Sequence, residues 1–179
     1  MPSRYTCTRR TAIKRCASVL LAAAGTHQMT ACANDLHVGA TAPAAVLVTL
    51  DGQKISTADL IGRVVVLTFW ATWCAPCREE LPLLSKYAQL HADEGLNVLG
   101  FCADERDNLA DVRRVADSLH FPVGLLARAS VPGYGRIWRL PVNFTIDRAG
   151  RLVEDGWKSK TPAWTAERLE QVVTPLLAH

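Results

Sequence analysis

Seven consecutive residues, Val64-Val65-Val66-Leu67-Thr68-Phe69-Trp70, are apolar apart from one threonine, and the chain then reaches Cys74-Ala75-Pro76-Cys77 almost at once. The run does not alternate between apolar and polar positions, so it has no face to spare for water. It reads as a strand covered on both sides, as in the middle of a parallel sheet. A chain with such a strand must supply layers above and below it and a partner strand beside it. Leu96-Asn97-Val98-Leu99-Gly100-Phe101-Cys102 has the same character and supplies the partner. Between the two, residues 76–91 carry Leu81, Leu84, Tyr87, Ala88 and Leu90 or His91 at roughly helical spacing, and Gly95 ends the segment.

The flanks complete the pattern. Val46-Leu47-Val48-Thr49-Leu50, the turn Asp51-Gly52 and Lys54-Ile55-Ser56 predict an N-terminal hairpin. A second helix is predicted over 108–119, a strand over 142–146 opened by Pro141, a return strand over 151–153 after Asp147-Arg148-Ala149-Gly150, and a last helix from Thr165 in which Pro175 makes a kink or a frayed end. The order ββ-β-α-β-α-β-β-α implies an α/β fold: a mixed central sheet with helices on both faces and an added N-terminal β-hairpin. A chain of 179 residues with 49% hydrophobic types supports one such domain.

The net charge of +3 belongs to the N-terminus. Arg4, Arg9, Arg10, Lys14 and Arg15 precede any acidic residue, and without them 15 basic residues face 17 acidic ones, a net of −2. Charge therefore gives no case for nucleic-acid binding. Behind the arginines lies an apolar run over 16–25, half of the roughly 20 residues that a membrane span needs, followed by small residues. This is the layout of an export leader, and it implies a bacterial periplasm or cell-envelope location, with the folded domain tethered or released. Two endings fit. Ala31-Cys32-Ala33 permits cleavage after Ala33, and Met29-Thr30-Ala31-Cys32 resembles a bacterial lipobox, which makes Cys32 a lipid-anchor candidate. Thr8-Arg9-Arg10-Thr11-Ala12-Ile13-Lys14 resembles a twin-arginine export pattern. The division is then a leader over 1–33, a polar tether over 34–42 and a folded domain over 43–179.

Three cysteines, Cys74, Cys77 and Cys102, fall in the folded part, too few for a disulfide framework. Cys102 lies in an apolar strand and reads as an inert small hydrophobe. Cys74 and Cys77 straddle a predicted helix start. There the free amides and the macrodipole favour a thiolate at Cys74 and lower its pKa. Cys77, one turn on, can close a disulfide with it, and Pro76 lacks only an N–H that the first turn leaves unpartnered. Redox exchange is thus the leading reading. A zinc half-site lacks a second pair, and a haem attachment site needs histidine where Arg78 stands. A copper site using Cys74, Cys77 and a remote histidine such as His120, and an inert bridge, remain open. No metal or other cofactor is called for by the exchange reading.

The segment Phe69-Trp70-Ala71-Thr72-Trp73-Cys74-Ala75-Pro76-Cys77-Arg78 resembles the active-site run of TlpA/ResA-like thiol–disulfide oxidoreductases, exported members of the thioredoxin superfamily. The likeness runs from Val38-Gly39 and Ala42-Pro43 through Leu50-Asp51-Gly52 and Asp59-Leu60-Ile61-Gly62 to Leu140-Pro141 and Ile146-Asp147-Arg148-Ala149-Gly150. It implies a thioredoxin-like fold, Cys74 as nucleophile, Cys77 as resolving thiol, and Pro141 as a cis-proline facing the pair. Trp73, Ala75, Pro76 and the backbone of Leu140 become substrate contacts, with strand-like pairing at Leu140. The resemblance also implies a membrane thiol carrier as electron donor and exported protein disulfides, apocytochrome c among them, as substrates. An oxidase or isomerase on the same fold and a copper-binding assembly factor are the alternatives. Thr68 stands where thioredoxins carry a buried aspartate, so Glu80, one turn past Cys77, is the proton-relay candidate at what the sequence suggests is a partly exposed position. A solvated surface charge is its plain alternative, and Glu79 points to solvent. Trp138, Trp157 and Trp164 read as packing residues or as the lining of a partner groove.

Overall fold

The computed structural model describes residues 36–178; the expected leader, Cys32 and the first residues of the expected tether lie outside them. The hairpin is β1 (Val46–Val48) and β2 (Lys54–Ser56), paired antiparallel. The main sheet holds β3 (Val64–Trp70), β4 (Leu96–Cys102), β5 (Val123–Leu125), β6 (Val142–Ile146) and β7 (Leu152–Glu154) in the order β5-β4-β3-β6-β7. The central place of β3 follows from its composition, since every one of its residues is buried. It runs parallel to β4 and antiparallel to β6, which makes the sheet mixed.

The helices are α1 (Ala75–Leu90), α2 (Leu109–Ala116), α3 (Ala166–Val172) and α4 (Thr174–Leu177). The last two divide the predicted terminal helix at Val173, and Pro175 sits in the first turn of α4, where its missing N–H costs least. Val64, Val66 and Trp70 of β3 pack with Leu81 and Leu84 of α1, Val112 of α2, Leu169 of α3 and Leu177 of α4 in one cluster. The opposite residues Val65, Leu67 and Phe69 pack with Leu47, Tyr134, Phe144 and Leu152 in a second.

Helices meet both faces of the sheet, as expected, but unequally. All four α-helices contribute to the first cluster. The second is covered by the hairpin, by 3-10 turns contributing Leu60 and Leu126, and by the segment around Tyr134. The connections explain it. The crossovers β3-α1-β4 and β4-α2-β5 step the same way across the sheet, and right-handed crossovers that step the same way lay both helices on one face.

Two further departures concern the edges. The sequence pattern omits β5, which has three residues, one of them Gly124. Residues 39–42 are bonded rather than tethering: Gly39 N–H donates to Leu152 O at 2.8 Å, Leu152 N–H to Ala40 O at 2.9 Å, and Ala42 N–H to Gly150 O at 2.9 Å. They extend the edge at β7, whose backbone groups would otherwise be left open.

Candidate active site

Cys74 is the N-cap of α1, with extended backbone at φ −85° and ψ 103°, and its Sγ accepts from the Cys77 N–H at 3.3 Å. The two sulfurs are joined as a disulfide with Cα atoms 5.3 Å apart, within the range that the bridge requires. The pair is asymmetric towards solvent. Cys74 is 6% exposed and is flanked by exposed Trp73, Ala75 and Pro76, whereas Cys77 is fully buried. Trp73 itself is 67% exposed, an unusual position for an indole.

The rim of the site comes from β6. Phe69 pairs with Val142, so Pro141 lies just beyond, at the disulfide end of β3. The Leu140–Pro141 peptide is cis, and half-buried Leu140 packs against the cluster that contains both cysteines. Trp138 is 71% exposed and stacks on Trp157 with ring centroids 5.7 Å apart. Arg139 lies over both rings and donates to Trp157 O at 3.1 Å, which ties the strand entrance to the segment beyond β7.

Beneath the disulfide, Glu80 corrects the sequence expectation. It is 1% exposed, so it is neither partly exposed nor a solvated helix-face charge, while Glu79 faces solvent. Register explains the surroundings. Thr68 pairs with Asn143, so their side chains emerge together on the face that α1 covers. The Glu80 carboxylate accepts from Thr68 Oγ1 at 3.3 Å, from Asn143 Nδ2 at 3.2 Å and from the Trp164 N–H at 2.7 Å. Burial pushes the Glu80 pKa up to about 7, against the pull of those donors and of the nearby Arg168 charge. Arg168 lies 4.4 Å over the Trp164 ring and donates to Ala163 O at 3.0 Å, which fixes the loop that brings the Trp164 amide to Glu80. Asn143, Trp164 and Arg168 are the partners that sequence reasoning did not assemble. Trp164 is buried, so it is packing and not groove.

A second buried carboxylate braces the loop before Cys74. Asp104 accepts from the Thr72 N–H at 2.7 Å, from Thr72 Oγ1 at 2.5 Å and from Asn108 Nδ2 at 3.4 Å. Burial raises its pKa, but the Thr72, Cys102 and Asn108 donors outweigh burial and leave it lowered. Cys102 is a free, buried thiol donating to Asp104 at 3.2 Å, and burial pushes its pKa up to about 12. That agrees with an inert role. His120 is bonded to Ser85, eight residues past Cys77 on α1, a rise of about 12 Å that keeps it from joining the cysteines around a metal. Among the described residues no group of three or more His, Cys, Asp or Glu side chains is placed to hold a metal ion.

A disulfide at a helix N-terminus, on the rim of a mixed sheet beside a cis-proline, defines a thiol–disulfide oxidoreductase of thioredoxin-like fold. The comparisons carry this further: residues 38–154 match the AhpC/TSA family, and the chain belongs to that family. It is 34% identical over 119 residues to the thiol-disulfide oxidoreductase ResA of Bacillus thuringiensis (strain Al Hakam), covering 66% of this chain and 69% of the relative. It is 35% identical over 120 residues to the thioredoxin-like protein YneN of Bacillus subtilis (strain 168), covering 65% and 69%. The structure of a putative thiol:disulfide interchange protein DsbE from Chlorobium tepidum superposes with a TM-score of 0.64 at 26% identity, over 79% of this chain and 99% of that one. The resemblance first drawn from the segment around Cys74 is thereby borne out. Exchange runs through Cys74 and Cys77, and disulfide-bearing proteins are the substrate class.

Proposed function

We propose that the protein is an extracytoplasmic reductase of disulfides in exported proteins, with apocytochrome c as the favoured substrate, and that a membrane thiol carrier supplies its electrons. The observation that carries this is the asymmetric Cys74–Cys77 pair above a buried carboxylate. In the reduced protein the Cys74 thiolate attacks one sulfur of the partner disulfide. A mixed disulfide forms, and the partner's other sulfur departs as thiolate. The extended partner segment rests on Trp73, Ala75 and Pro76 and pairs with the backbone at Leu140, ahead of cis-Pro141. Cys77 then gives its proton towards Glu80 and attacks Cys74 Sγ. That closes the intramolecular bridge and releases the second partner thiolate. The partner gains two electrons and the Cys74–Cys77 pair loses two; the thiol carrier restores them.

Glu80 suits the relay because a carboxyl that titrates at about 7 can take up and release a proton near neutrality. The basic, apolar and small-residue succession of the N-terminal sequence supports export, with retention through a lipid on Cys32 or release by cleavage after Ala33. No described helix is long and apolar enough to cross a membrane.

The reduction potential of the Cys74–Cys77 couple tests the direction. A value near the ~−270 mV of thioredoxin supports a reductase, and one near the ~−120 mV of a strong oxidant overturns it. Mass spectrometry of the chain from the cell envelope tests export. The expected start is lipidated Cys32 or free Asn34, and an intact Met1 in that pool sinks the proposal.

A further inference from the structure

The end of the sheet that carries the disulfide also carries a cavity of about 370 Å³ with three arginines on its wall: Arg106, Arg113 and Arg128. Leu50, Leu109, Leu125 and Thr49 complete its lining. Arg106 follows the C-terminal end of β4, Arg128 follows that of β5, and Arg113 projects from α2 between them. In open α/β sheets this carboxyl end of the parallel strands is where ligands are received.

The arginines are not matched by the fold. Among the described residues no ion pair joins a carboxylate to any of the three. Arg113 makes one bond, to Leu50 O at 3.3 Å. The neighbouring carboxylates are engaged elsewhere or stand apart. Asp104 holds Thr72, Asp111 pairs with Arg114 at 2.9 Å, and Asp51 is bonded to Thr49 and Gln53. Glu105 and Asp107 flank Arg106 in the chain without bonding to it. Asp117 lines the adjacent cavity beyond Arg113.

Distance links this wall to the chemistry. The disulfide follows β3, and β5 is two strands away, about 10 Å at the usual spacing. A protein docked on Cys74 covers about 800 Å² of this surface, a patch with a radius of about 16 Å. A partner centred on the disulfide thus extends past β5, at the end of the sheet where the arginines stand.

We infer that Arg106, Arg113 and Arg128 form an acidic-partner subsite: they receive carboxylates on the protein whose disulfide exchanges with Cys74, and so select and orient that protein. The inference rests on the thiol–disulfide activity and adds a substrate preference to it. Steering by exposed charges raises association rates and fades as salt shortens the screening length.

The test uses the reduced protein and two peptides that share one disulfide ring, one flanked by Asp and Glu, the other by Ser and Asn. The acidic peptide should be reduced on the order of 10-fold faster at low ionic strength, and the advantage should vanish at about 0.5 M salt. Arg106→Ser, Arg113→Ser and Arg128→Ser combined should remove the preference and leave the rate on the neutral peptide unchanged. Arg114→Ser, on the same helix but already paired with Asp111, should keep the preference. Equal rates on the two peptides, or a preference that survives the triple substitution, overturn the inference alone. Failure to exchange with either peptide overturns the oxidoreductase reading and the inference with it.

Discussion

Burial separates the two cysteines more sharply than sequence spacing does. With Cys77 fully covered, only Cys74 offers a sulfur that a partner can approach. Cys77→Ala should therefore accumulate mixed disulfides on Cys74, and Cys74→Ala should accumulate none, as seen on non-reducing gels after acid quench. Adducts that form on Cys77 alone would reverse the assignment. Glu80 shares the buried face of α1 with Cys77 and accepts from Thr68, Asn143 and the Trp164 amide. Glu80→Gln keeps the side-chain shape and removes the titration. Release of the mixed disulfide should slow by about 10²-fold, the low end for a positioned acid–base group, and should lose its pH dependence around 7. Stopped-flow kinetics of that step decide the matter. An unchanged rate and profile would leave Glu80 as a structural carboxyl.

Among the elements, β5 shows how a short strand is specified by contact and not by propensity. A Cβ on Gly124 would stand 2.0 Å from Val48 O, so glycine is what lets the hairpin close on the sheet edge, where the Leu50 N–H donates to Val123 O at 3.0 Å. Gly124→Ala should force the hairpin away and cost about 1–3 kcal/mol, the range for an overpacked buried position, measured by urea unfolding. A loss below about 0.5 kcal/mol would show that the hairpin has slack. The same logic marks what the sequence could reveal. The long apolar runs of β3 and β4 and the stripe of α1 announce themselves, because burial on a whole face leaves a periodic trace. The three residues of β5 leave none. The disulfide site was legible for the same reason, since Cys74, Cys77 and Glu80 lie within two turns of one helix. The Glu80 cage was not, because Asn143 and Trp164 reach it from 63 and 84 residues away. Burial of that carboxylate depends on the register of β6 and on the Arg168 clamp, neither of which has a local signature.

At the scale of the whole molecule, two buried carboxylates pull stability in opposite directions with pH. Asp104 is held below its ordinary value, so its contribution is present above about pH 3.8 and is lost as the pH falls below that. Glu80 is raised from 4.5 to about 7. Between those values the unfolded chain has released this proton while the folded chain still holds it, so stability falls as pH rises through the window and levels off above 7. The displacement corresponds to a loss of about 3 kcal/mol, an order-of-magnitude figure, for a group shielded well enough that solvent screens little of it. The oxidised protein should therefore be most stable near pH 4 to 5 and weaker at pH 8. The informative quantity is the difference between wild type and Glu80→Gln. Urea unfolding of both at pH 5 and pH 8, with the disulfide kept intact, should show the wild type losing on the order of 3 kcal/mol more than the variant. Parallel stability curves would mean that the native Glu80 carboxyl ionises at its ordinary value, and the proton-relay role would lose its physical basis along with the pH dependence.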